Sequence, residues 1–144
     1  MDVYKVLKNE IFTISGTPHT VTYQVPPTSS TQVGGGSGPV VSPLAASVNT
    51  QTLVTSVFVC NVDAESPADF SLAVSNYDSV SPIVTTLYND VRIYGGDSAE
   101  LNLNLTLKSL DEVIFTGTQY SSVTPSIHVT IFGIEMVTGV GPRG

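Results

Sequence analysis

Two histidines, one cysteine and two close carboxylate pairs are the residues of this chain whose types and spacing could carry chemistry. A hydrolytic centre needs an imidazole held beside a nucleophile and oriented by a third group. His128 stands between Ile127 and Val129 in an alternating run, three residues after Pro125, a setting in which a histidine serves the strand. His19 follows Pro18 and reads as a loop residue. Neither has a second ligand at zinc spacing. Asp63-Ala64-Glu65 and Asp111-Glu112 fall at turns and read as solvated turn ends. Neither sits in the spaced acid-and-glycine loop that binds calcium. Glycosidase carboxylates are paired in space rather than in sequence, so that chemistry stays open. Cys60 lies in the apolar run VTSVFVCNV, with no Lys or Arg beside it. A reactive thiol needs a nearby cation or helix N-terminus, so Cys60 reads as a small buried hydrophobe. A single cysteine allows no disulfide within the chain and leaves the redox compartment open.

Other chemistry-bearing motifs are equally weak. Gly34-Gly35-Gly36-Ser37-Gly38 lacks the Lys-Ser/Thr and the following helix of a phosphate loop. Asn104-Leu105-Thr106 fits the glycosylation pattern but falls inside a strand. Tyr88, Tyr94 and Tyr120 lie near turns and could line a carbohydrate site; the plainer reading is sheet-face or interface tyrosine. The expectation is no catalytic residue, no metal and no cofactor.

The elements that would position these residues are strands. Leu101, Leu103, Leu105 and Leu107 alternate with Asn102, Asn104 and Thr106, which gives one greasy and one wet face at period two. Ile127, Val129 and Ile131 repeat the pattern opposite His128, Thr130 and Phe132, in a run from 126 to 137. Shorter extended runs cover 3–7, 11–14, 19–25, 53–62, 70–74, 83–94 and 110–116. Asp63-Ala64-Glu65-Ser66-Pro67, residues 76–82 and Tyr94-Gly95-Gly96-Asp97 read as turns. Nowhere does an apolar i, i+3, i+4 pattern persist. Seven to nine short strands split by turns predict an all-β antiparallel sandwich, jelly-roll-like, with an extended N-terminal arm.

Residues 26–50 break the pattern. PPTSSTQVGGGSGPVVSPLAASVNT holds four prolines and four glycines, which disfavours helix and regular strand alike. A flexible linker is one reading. Its embedded Val33, Val40, Val41, Leu44 and Val48 favour an arm that orders on a partner. The expected division is therefore 1–25 as N-terminal strands, 26–50 as arm or loop, 51–138 as the main sandwich forming one domain with 1–25, and 139–144 as a turn-like tail.

Composition narrows the function. Charged residues make up 12% of the chain, against about 25% in average usage. Ser and Thr each occur 17 times. Five basic residues face twelve acidic ones, a net charge of −7, which disfavours direct nucleic-acid binding and anionic membranes. The opening MDVYKVLKNE has no apolar signal-peptide core, and no apolar run approaches a membrane span. A hydroxyl-coated, weakly charged body suits a protein packed against neighbours, where a free soluble protein keeps a more charged coat.

Several short motifs, in order, carry a resemblance. Tyr4-Lys5-Val6-Leu7 and Tyr23-Gln24-Val25-Pro26 at the start, Val59-Cys60-Asn61 with Phe70-Ser71-Leu72-Ala73-Val74, and Phe132-Gly133-Ile134-Glu135 at the close resemble small virion structural proteins of tailed phages, of the cyanophage type. The resemblance covers most of the chain except 29–50, which looks like an insertion. It implies a β-sandwich accessory protein of head, neck or tail, in symmetric oligomers, with no catalytic residue.

The expectation drawn from residues and resemblance together is a virion protein that decorates or cements the head. Its partners would be itself, as a homotrimer, and other virion proteins such as the major capsid protein or tail proteins. A tail, neck, baseplate or fibre component is the nearest alternative, and a carbohydrate-binding module on the virion surface the next. The expected interface residues are Val3, Tyr4, Val6 and Leu7 on the first strand with Val33, Val40, Val41, Leu44 and Val48 on the arm.

Overall fold

The structure is a computed structural model that describes residues 4–27, 29–32, 45–120 and 122–140, with side chains described for 4–27, 50–120 and 122–136. Nine strands follow in chain order: β1 (Tyr4–Thr13), β2 (His19–Gln24), β3 (Ser29–Gln32), β4 (Ala45–Asn61), β5 (Ala68–Asn76), β6 (Ile83–Ile93), β7 (Ser98–Lys108), β8 (Glu112–Gln119) and β9 (Ser126–Val140). They form two antiparallel sheets. One runs β1-β9-β4, with β3 and β7 pairing successive stretches of β4; the other runs β2-β8-β5-β6.

The pairing is that of one long hairpin rolled up on itself. Set β3 aside, and the first strand pairs the last (β1·β9), the second the last but one (β2·β8), then β4 pairs β7 and β5 pairs β6. Rolling then brings β4 against β9 and β5 against β8. That nesting defines a jelly roll. The sandwich expected from alternation is the fold observed.

The core lies between the sheets. Val54, Val57, Val59, Ile127, Val129 and Ile131 from one meet Val21, Phe70, Leu72, Val113 and Phe115 from the other, all with essentially no exposed surface. Phe70 and Phe115 stack at 5.5 Å between ring centres. Burying each such side chain stabilises by roughly 1.5–3 kcal/mol. Of the four alternating leucines, Leu101 and Leu107 are buried, and Leu103 and Leu105 pack against the core partly buried.

Polar residues lock the turns. Asn61 Nδ2 donates to the carbonyls of Ser66 and Ile93, and Asp63 accepts from the amides of Glu65 and Ser66. The turn at 94–97 forms as expected, with Asp97 N donating to Tyr94 O and Gly96 at φ 78°. Asp111 departs from the solvated turn end expected of it. It is buried, and accepts from Tyr77 N at 2.8 Å, Lys108 N at 3.0 Å and Asn76 Nδ2 at 3.3 Å. Here the carboxylate ties the β7–β8 turn to the end of β5.

Strands also appear where none was expected. Ser29–Gln32 pairs Ala45–Val48, inside the Pro/Gly-rich stretch. Residues 45–50 start β4, and residues 139 and 140, expected in a turn-like tail, continue β9 opposite Val48 and Ser47. Local composition disfavours strand there; pairing of β4 to β9 and of Ser29–Gln32 to Ala45–Val48 overrides it. Cys60 also differs from expectation: it is half-buried, opposite Ser98 and His128, while its neighbours Val59 and Asn61 are buried.

Candidate assembly surface

A row of irregularities crosses the five-stranded sheet at one height. In β1, Leu7 is the extra residue between the pairs Val6↔Phe132 and Lys8↔Ile131. In β4, Thr55 is extra between Val54↔Gly133 and Ser56↔Phe132, and its hydroxyl donates to Phe132 O at 3.2 Å. In β7, Leu103 and Asn104 together face Thr55, with Asn104 in the left-handed region at φ 53°. Each bulge bends and twists its strand, and aligned bulges fold the sheet along a common crease. Gly133 lies at its centre. A Cβ there would come within 2.3 Å of Leu53 O and 3.1 Å of Val54 Cα, both backbone atoms of β4. The crease therefore needs a glycine at 133 for close approach of two strands.

On the solvent side of the crease stands an aromatic group built from three strands. Alternation that buries Ile131 and Gly133 sends Phe132 outward. Tyr4 of β1 stacks on Phe132 at 6.0 Å with the rings 4° from parallel. Phe58 of β4 meets Phe132 edge-on at 5.7 Å and 80°. Tyr4, Val6 and Phe58 remain 56%, 47% and 41% exposed. Ile11, further along β1 on the same side, is also exposed. Rings held in fixed contact while facing water give a rigid contact area whose ordering cost is already met.

Beneath it, on the inner side, a polar bridge joins the two sheets. Glu135 pairs with Lys5 of β1 and accepts a hydrogen bond from the Tyr23 hydroxyl of the other sheet at 2.7 Å; the Thr52 hydroxyl lies 2.8 Å from the same Tyr23 oxygen. Burial raises the Glu135 pKa, but its bonds to Lys5 and Tyr23 outweigh that and hold it below the ordinary carboxylate value. Burial first, then the neighbouring Glu135 carboxylate, pushes the Tyr23 hydroxyl above the ordinary tyrosine range, with the Thr52 bond opposing. Tyr23 thus stays a neutral donor. The run Phe132-Gly133-Ile134-Glu135 gains a physical reading: outer aromatic, crease glycine, outer aliphatic, inter-sheet anchor.

The residues considered for catalysis are engaged elsewhere. His19 stacks on Phe12 at 4.1 Å and bonds Glu10. His128 bonds Asn9 on the outer face. Among the described residues no group of three His, Cys, Asp or Glu side chains could hold a metal ion. Of the expected interface residues, Tyr4 and Val6 are exposed on the outer face, whereas Leu7 packs against the core. Val48 lies in β4 paired to β3 and β9. Val3, Val33, Val40, Val41 and Leu44 lie outside the described residues. Tyr94 and Tyr120 are exposed, and Tyr120 lies under the Arg92 guanidinium at 3.5 Å, while Tyr88 is half-buried. Sequence reading placed Phe58 and Phe132 on strands but did not join them, because the contact is made by register between distant segments.

Fold and surface together define a jelly-roll domain with an extra β-hairpin and an aromatic outer face. No family model matches this sequence, and no curated protein matches it. Among solved structures, the chain is similar to one of the infectious bursal disease virus Gx strain, at 10% identity and a TM-score of 0.46, over 98% of this chain and 32% of that one. It is similar also to a crystal structure of the T13 particle of the same virus (11% identity, TM-score 0.39, 88% and 39% coverage) and to the Gt strain structure (8%, 0.35, 95% and 37%). The chain thus spans about a third of the length of the structures it matches.

Proposed function

We propose that this chain is a structural subunit of a virus particle, held in place by contacts between subunits. The observation that carries the reading is the exposed, pre-stacked aromatic group Tyr4–Phe132–Phe58 on a weakly charged, hydroxyl-rich body. Jelly rolls recur in viral capsid domains, and a rigid aromatic patch is the kind of surface on which interface energy concentrates. Residues 33–44, between the paired Gln32 and Ala45, supply a second contact segment. The finer reading is a head decoration or cement protein of a tailed phage, assembled as a homotrimer and resting on the major capsid protein; the resemblance of the short motifs supports it. Imaging intact particles that carry the tagged chain tests this. Copies spread over the shell in a symmetric array fit a decoration protein, and a few copies confined to the tail fit a tail, neck or baseplate component. Particles without the chain overturn the proposal.

A second reading has its own observation. Tyr94 and Tyr120 are both exposed, and Tyr120 lies under the Arg92 guanidinium, which Asp69 holds by two hydrogen bonds. Exposed rings around a fixed guanidinium suit a sugar. Glycan binding that is lost in Tyr94→Ala and Tyr120→Ala supports a carbohydrate-binding role on the particle surface; a blank glycan array removes it.

A further inference from the structure

The first half of β6 is a sheet edge left without the usual protection. Sheet edges expose unpaired amides and carbonyls, and proteins blunt them with charges, bulges, short length or cover. β1 carries Lys5, Lys8, Glu10 and the Leu7 bulge. β7 carries Glu100, Lys108 and the bulge at Asn104. β2 is six residues long, with His19 held by Phe12 and Glu10 of β1. β6 pairs β5 on one side, and among the described residues no strand pairs its other side. Its bulges come late, after Thr86 and again before Val91. Ile83, Val84, Thr85 and Thr86 are thus a straight run of four β-branched residues, all exposed. Ile83 and Val84 point to opposite faces, yet are 65% and 58% exposed. The strand here is uncovered on both faces as well as on its edge.

We infer that this edge pairs with the same edge of a second copy, antiparallel about a two-fold axis, joining two four-stranded sheets into one of eight strands. Charge selects the partner. The body carries a net charge of −7, so like copies repel over most of their surface. From Ser79 to Asn89 no residue is charged, so here two copies can approach. An edge of hydroxyl and aliphatic groups has no charge with which to select a different strand, and an antiparallel edge is its own complement. With the axis through Thr85, Thr85 faces Thr85 of the second copy and Val84 faces its Thr86, the register in which facing side chains share a face of the sheet. Asp78 and Asp90 lie beyond this paired stretch, so no two acids are opposed. A two-fold contact of this kind is independent of the aromatic face and of any role in a particle; combined with a three-fold contact elsewhere, it would link trimers.

Hydrogen exchange of the purified full chain at rising concentration, in parallel with sedimentation, tests the inference. Amides in 83–86 gain protection as the two-fold species forms. Thr85→Lys places like charges across the axis and raises the dissociation constant about tenfold or more, and Val84→Lys acts likewise at the neighbouring pair. Both sites are exposed, and melting curves check that each variant keeps its fold. A Tyr4→Ser/Phe58→Ser variant, which disables the aromatic face, retains the β6 contact. Association without protection at 83–86, association unchanged in both lysine variants, or a chain that stays a lone subunit at millimolar concentration overturns it.

Discussion

Gly133→Ala is the substitution whose cost the structure fixes most directly. The added methyl would sit 2.3 Å from Leu53 O and 3.1 Å from Val54 Cα, with the Leu7 Cδ1 at 2.8 Å. Leu7 can turn away; the two backbone atoms belong to β4 at its pair with Gly133 and cannot. Relief requires β4 and β9 to part at the centre of the five-stranded sheet, beside the fully buried Val54. Overpacking of a well-packed core costs typically 1–3 kcal/mol, more where backbone must move, so about 3 kcal/mol is expected. For a chain of this length the unfolding entropy is roughly 0.3 kcal/mol per kelvin, and the melting midpoint falls by about 10 °C. Urea denaturation and thermal melts of wild type and Gly133→Ala give both quantities. A loss below about 1 kcal/mol would refute the close approach and, with it, the crease.

Other expectations follow from the same contacts. Replacing residues 33–44 by Asn-Gly should leave the fold intact, since Gln32 and Ala45 already face each other and a two-residue turn closes that hairpin; circular dichroism checks the fold, and particle binding should be lost if the segment is a contact. Asp111→Ala strands the amides of Tyr77 and Lys108, which should cost about 2–4 kcal/mol by urea unfolding. Glu135 has a folded pKa below its ordinary value, so its contribution to stability is complete above pH 4.5 and is lost as pH falls through the lower folded value. Glu135→Gln should accordingly flatten the acid limb of the stability curve, and an unchanged slope would count against the Lys5–Glu135–Tyr23 bridge. Tyr4→Ser and Phe58→Ser remove exposed ring contacts and should each cost no more than about 1 kcal/mol of stability, while weakening subunit contacts.

Much of the architecture was legible because it rests on alternation. The leucines at 101–107 and the Ile127-Val129-Ile131 face read directly as strands with one buried side, and the turn at 94–97 announced itself through two glycines. The missed parts have identifiable physical causes. Ser29–Gln32 and Ala45–Thr50 sit among prolines and glycines; Ala45–Thr50 is strand because it pairs with the far end of β9 or with β3, and Ser29–Gln32 because it pairs with Ala45–Val48. The bulges at Leu7, Thr55 and Asn104 break period two locally, and no local pattern announces them. Asp111 looked like a solvated acid because its donors, Tyr77 and Asn76, come from a turn and strand more than thirty residues away. The aromatic group was half visible: Tyr4 and Val6 were expected at an interface, but Phe58 and Phe132 join them only through the registers of β1·β9 and β4·β9. One local signal was available, the Phe132-Gly133 pair, since a glycine in the inward position of a buried strand marks a place where something comes close.

The central claim is that this jelly roll is a particle subunit that docks by its outer aromatic face. Counting copies of the chain per purified particle by quantitative mass spectrometry, for wild type and for the Tyr4→Ser/Phe58→Ser variant, tests it most directly. The account predicts a fixed, symmetry-related copy number for wild type and a drop of about tenfold or more for the variant, the loss expected when a hot-spot pair is removed. Equal copy numbers for the two proteins, or none for wild type, would contradict it.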